Sequence, residues 1–212
     1  MNTRSQTRAE EIANSVSHGL GAVAALASAP ILIAHIAPHG HAMAVVGTAI
    51  FAVTMVLLYV ASALYHALPE GRAKEVCGKL DHCAIYLFIA GSYTPFALGV
   101  LSGAWGWTLF GVVWGLASLG VTLKIFNRLS HPLWSTGLYL AMGWLVVVAA
   151  PLFTRMPTDG LLWLLAGGLA YTAGVAFFLT DARLRFGHFI WHLFVMAGTA
   201  FHFVAVMGYS AA

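Results

Sequence analysis

The stretch "GHFIWHLFVMAGTAFHF", residues 187–203, decides the fold. It contains no Asp, Glu, Lys or Arg and reads as a membrane-spanning helix, yet His188, His192 and His202 interrupt it. An ionisable group at membrane depth is costly and calls for a partner. The rest of the chain repeats the apolar character: of 212 residues, 60% are hydrophobic and 8% charged, where a soluble domain carries about 25% charged. Mean hydropathy is +0.85. Seven apolar runs, at about 18–37, 43–65, 80–101, 104–124, 132–152, 160–180 and 187–208, approach the ~20 residues that cross a bilayer as helix. They lack the alternation of barrel strands. The expected fold is an all-α integral membrane protein, one domain over residues 1–212, built as a bundle of seven transmembrane helices.

Charge orients that bundle. Arg4 and Arg8 precede the first run; Arg72, Lys74 and Lys79 lie between the second and third; Lys124 and Arg128 between the fourth and fifth; Arg183 and Arg185 between the sixth and seventh. Only Arg155 falls on the other side. By the positive-inside rule the N-terminus is expected in the cytoplasm and the C-terminus outside. The apolar stretch after Arg8 is long enough to span, and Glu10 and Glu11 precede it, so no signal cleavage is expected at "ALASA". Cys77 and Cys83 then lie on the reducing side, and no disulfide is expected. No basic run suggests nucleic acid; membrane lipids are the expected partners, and nothing sets an oligomeric state.

On this topology four ionisable residues share one depth: His66 at the end of run two, Asp81 at the start of run three, and His188 and His192 in the first turns of run seven. Residues four apart on a helix share a face, about 6 Å apart along the axis, so His188 and His192 can bind one metal. His66 would make three ligands, the number that leaves a position open in catalytic zinc sites. Asp81 would orient or deprotonate the attacking water. Blander readings stand beside this one. The spacing alone is weak, because His35 and His39 share it in what reads as a wet outer loop with His41. Asp81 suits the first turn of a helix, and His66 the last turn, on dipole grounds. His188 and His192 have no such excuse near a helix N-terminus. Glu11, Asn14 and His18, at i, i+3 and i+7, share a second helical face that can equally be a solvated or capping stretch. His202, about 15 Å deeper than His192, is expected to make a buried hydrogen bond instead. Pro30 and Pro95 predict kinks, and Gly111 with Gly115 predicts close helix approach.

Glu11-x-x-Asn14-x-x-x-His18, Ser62-x-x-x-His66 followed by Asp81, and His188-x-x-x-His192, flanked by "EEIANSVSHGLGA", "SALYH", "LDHCAIYLFIAGSYTPF" and "HFIWH", together resemble the hemolysin III branch of the progestin and adipoQ receptor (PAQR) family, over essentially the whole chain. The resemblance implies Zn2+ held by His66, His188 and His192, with Asp81 as the catalytic carboxylate, Ser62 at the edge of the site, and Glu11, Asn14 and His18 as structural support. It also implies a bacterial plasma membrane. The wider superfamily includes alkaline ceramidases, so the function expected is zinc-dependent hydrolysis of a membrane lipid amide or ester in lipid homeostasis. The alternatives are a non-enzymatic lipid-state sensor with structural zinc and, on the family's name alone, a cytolytic pore. The apolar runs offer no continuous polar stripe for a pore.

Overall fold

A computed structural model describes residues 4–129 and 131–211. They form helices and connecting turns with no strand among them: α1 (Arg8–Ile36), α2 (Ala42–Ala67), α3 (Arg72–Leu98), α4 (Gly103–Ile125), α5 (Pro132–Gly143), a 3-10 segment (Trp144–Val148), α6 (Ala150–Arg155), α7 (Thr158–Thr180) and α8 (Gly187–Tyr209). Five of these, α1, α2, α4, α7 and α8, are long and apolar enough to cross a membrane, and Leu133–Val148 is a shorter apolar stretch.

Two of the seven apolar runs therefore take a different form. The run at 80–101 lies within α3, which is 27 residues long but less apolar than its neighbours. Its Asp81, Tyr93 and Thr94 are buried, so a helix enclosed by others can hold polar groups that lipid would not tolerate. The run at 132–152 is a broken helix. After Gly143 the chain tightens into the 3-10 segment and restarts as α6, with Pro151 in its first turn. Tyr93 stitches the break: its hydroxyl contacts the carbonyls of Met142 (2.9 Å) and Gly143 (2.7 Å) and accepts from the Val146 N–H at 2.9 Å. Trp144 Nε1 donates to Thr172 of α7 at 3.1 Å. Such irregular backbone belongs at membrane depth only where protein or a cavity covers it.

α1 begins ten residues before the first apolar run because Thr7 and Glu10 form a capping box, each side chain meeting the other's backbone N–H. α1 packs on α2, α2 on α3, α3 on α4 and α5, α5 on α7, and α7 on α8, which returns to α1 and closes a ring. Between lipid-facing helices the driving force is close packing rather than water exclusion. Gly47 of α2 shows it: a Cβ there would lie 2.9 Å from the Thr94 carbonyl oxygen and 3.0 Å from Pro95. The α4 glycines behave otherwise. Nothing approaches Gly111 or Gly115, so the close approach expected of them is not made within this chain. Arg155, the lone cation away from the N-terminal end, donates to the carbonyls of Val100 and Leu101 and closes the turn between α3 and α4.

The ring encloses a cavity of about 940 Å³. Its walls are mostly apolar side chains of α3, α5 and α7, such as Ile85, Phe88, Leu140, Leu164 and Phe178, and its polar end holds Ser62, His66, Asp81, His188 and His192.

Candidate metal centre

The last turns of α2, the first turns of α3 and α8, and the first three turns of α1 meet at the end of the ring that carries the N-terminus. His66, Ser62, Asp81 and His192 are buried and His188 is half-buried. The rings of His66, His188 and His192 form a triangle, with centroids 5.0, 5.1 and 4.8 Å apart. One nitrogen from each lies within 4.8 Å of the others, an arrangement able to hold one metal ion.

Each ring is held from behind. His66 Nδ1 lies 2.7 Å from Glu11 Oε2, and His188 Nδ1 2.9 Å from Asp181 Oδ2. An ionised carboxylate only accepts, so both Nδ1 atoms carry the proton. His192 Nδ1 lies 3.1 Å from Ser17 Oγ. Ser17 already donates to the Asn14 carbonyl at 2.9 Å, so its oxygen accepts from His192. These partners assign the same tautomer to all three rings and leave each Nε2 lone pair available, as outer partners do for metal-ligating histidines. His66 Nε2 is buried with no hydrogen-bond partner, and a buried polar atom left so costs about 1–3 kcal/mol. Three neutral imidazoles with one such orphaned acceptor fit a borderline metal such as zinc.

The sequence-derived residues divide by what they touch. Asp81 is buried and interacts electrostatically with His66, His188 and Lys124, with a polar contact from the Ser62 side chain. Glu11 reaches His66 directly, and its second oxygen meets Lys74 Nζ at 3.0 Å. Lys74 in turn donates to the Tyr65 and Leu68 carbonyls at the end of α2. Asn14, fully buried, acts through its backbone on Ser17 and takes Gln6 with its side chain. His18 stacks on His192. Glu11 directly, and Asn14 through Ser17, therefore stand behind the histidines themselves. Glu10, one residue before Glu11, binds Arg4 through both oxygens and accepts the Phe186 N–H at the start of α8, at 2.8 Å. His202 is not near the triangle: it packs over Gly167 and against Tyr171 of α7. Ser17, Lys74 and Asp181 were missed in the sequence. Asp181 was findable, as one of seven acids in the chain, standing in the turn just before His188.

A family model described as "Haemolysin-III related" matches residues 6–203. The chain belongs to the haemolysin III family. It is 45% identical over 201 residues to "Hemolysin-3" of Bacillus cereus, covering 94% of this chain and 91% of that protein. To the "Hemolysin-3 homolog" of Bacillus subtilis it is 41% identical over 201 residues, covering 94% of each. The human "Monocyte to macrophage differentiation factor" is a more distant PAQR relative, 31% identical over 169 residues, 76% of this chain and 68% of that protein. No solved structure matches the chain. The match to the haemolysin III family spans every residue of the triangle and each of its partners.

Proposed function

We propose that this is a zinc-dependent hydrolase of the bacterial plasma membrane, acting on a lipid amide or ester, with seven spans and the N-terminus in the cytoplasm. Its carrying observation is the triangle of imidazoles at the polar end of an apolar cavity, with one nitrogen of each ring within 4.8 Å of the others and an acceptor behind each Nδ1. His66, His188 and His192 would hold the zinc, which when bound supplies Lewis-acid polarisation of a carbonyl. The cavity walls take the hydrocarbon part of the lipid and keep water from the rest of the chamber. Asp81, buried beside His66 and His188, orients the attacking water and accepts its proton. Ser62 faces that carboxylate and limits its motion.

The test is turnover. Purified protein with one zinc per chain is offered a broad panel of lipid amides and esters, beside Asp81→Asn and His66→Ala. Product from the wild type, with both variants at least 100-fold slower (about 2.7 kcal/mol) and the Asp81→Asn metal intact, supports the reading. No turnover on any substrate with zinc in place sinks it. Loss of detergent stability in His66→Ala together with no turnover would point to a structural zinc in a lipid-state sensor. Metal-independent leakage of liposomes would revive the pore.

A further inference from the structure

His18 packs against the triangle, and the metal reading leaves its chemistry unused. It is 3% exposed, lines the cavity, and lies flat on His192, with ring centroids 3.4 Å apart and planes 8° from parallel. Tyr59 meets its edge at 5.1 Å and 82°. Neither of its ring nitrogens makes a hydrogen bond of good geometry, and the polar contact its ring does have is with the His192 backbone. A neutral imidazole always carries one N–H, and a buried donor without an acceptor is destabilising by about 1–3 kcal/mol.

His18 lies face to face on His192 and is not among the three histidines whose nitrogens gather within 4.8 Å of one another. What His18 offers is a donor at the wall of the same cavity that Asp81 lines. A carbonyl placed at the triangle is served by two groups, one that manages the water and one that donates to its oxygen.

We propose that His18 is a substrate-binding residue, whose ring N–H hydrogen-bonds the carbonyl oxygen of an acyl group placed at the histidine triangle. This rests on the metal-site reading above. It assigns the polar end of the cavity two anchors for one acyl group, the metal and His18, and so favours ligands with a hydrogen-bond-accepting oxygen over metal-binding ligands without one.

The full-length protein in detergent, loaded with cobalt(II) as a spectroscopic stand-in for zinc, is titrated with octanohydroxamate, a probe that joins a short acyl chain to a metal-binding carbonyl. His18→Phe keeps a flat ring for the stack and removes both nitrogens; His18→Gln restores a donor. The expected result is cobalt absorption and affinity unchanged in both variants. Octanohydroxamate should bind His18→Phe at least tenfold more weakly than wild type, with most of that loss recovered in His18→Gln. Octanohydroxamate binding to His18→Phe within about twofold of wild type, with cobalt retained, overturns the proposal. So does loss of cobalt from His18→Phe, which would make His18 only a support for His192. If the phenyl ring prevents folding, shown by a lost helical signal, His18→Leu is judged on the same two readouts. Failure of the wild type to take cobalt instead fails the metal reading itself, and this inference with it.

Discussion

Two pairs of histidines in this chain have the same spacing and opposite surroundings. His35 and His39 stand at the end of α1, both exposed, with rings 5.8 Å apart; the hydrogen bond of the His39 ring is local, from Nδ1 to the His35 carbonyl. His188 and His192 begin α8 with their rings 4.8 Å from each other, a carboxylate behind one and a hydroxyl behind the other, and a third imidazole about equally far from both. What separates them is the outer contacts. Spacing on a helix brings two rings near each other, but partners from other helices choose the tautomer, hold the ring and exclude water. Water competes freely at His35 and His39.

Alanine at His188 or His192 breaks the contrast most severely. On the proposed zinc reading, removing one of three ligands should weaken zinc binding beyond the ~100-fold upper figure for an outer partner, whereas His35→Ala with His39→Ala should leave it unchanged. Competition with a chromophoric zinc chelator measures both, and equal effects at the two pairs would show that spacing alone matters. Glu11→Ala comes next, at ~10–100-fold, because it frees His66 and also strips Lys74 of its carboxylate. Asp181→Ala should fall at the weaker end of that range, about tenfold, since Asp181 and His188 are both partly open to solvent. Ser17→Ala removes one neutral hydrogen bond, net about 0.5–1.5 kcal/mol, or roughly twofold to tenfold in zinc affinity. A Ser17 effect larger than that of Glu11 would reverse the ranking of carboxylate over hydroxyl on which this order depends.

Much of this was legible before any coordinates. Apolar runs located the helices, and the Lys and Arg bias placed His66, Asp81, His188 and His192 at one depth, where the structure gathers them. The break after Gly143 was not legible: "WLVVVAAPLF" is as apolar as any span, and its 3-10 turn depends on the Tyr93 hydroxyl reaching over from α3. Gly111 and Gly115 misled for the related reason that spacing shows a groove without showing which way it faces. The role of Glu11 was hidden because an acid near a helix start has a sufficient local explanation, and only the position of α2 reveals His66 behind it. Ser17 carries no signal of its own, and a serine in a helix is common.

The support of His192 by Ser17 joins residues 175 positions apart, and Glu10 meets Phe186 across 176. During synthesis α1 is therefore made first and waits for α8, the last helix, before the centre exists. Until α8 is in place, His66 is the one member of the triangle that has been made. Contacts of such long sequence separation form late. On the proposed metal reading, metal uptake by nascent chains would report completed insertion, and a chain truncated before residue 187 would keep His66 and its Glu11 partner without the rest of the triangle.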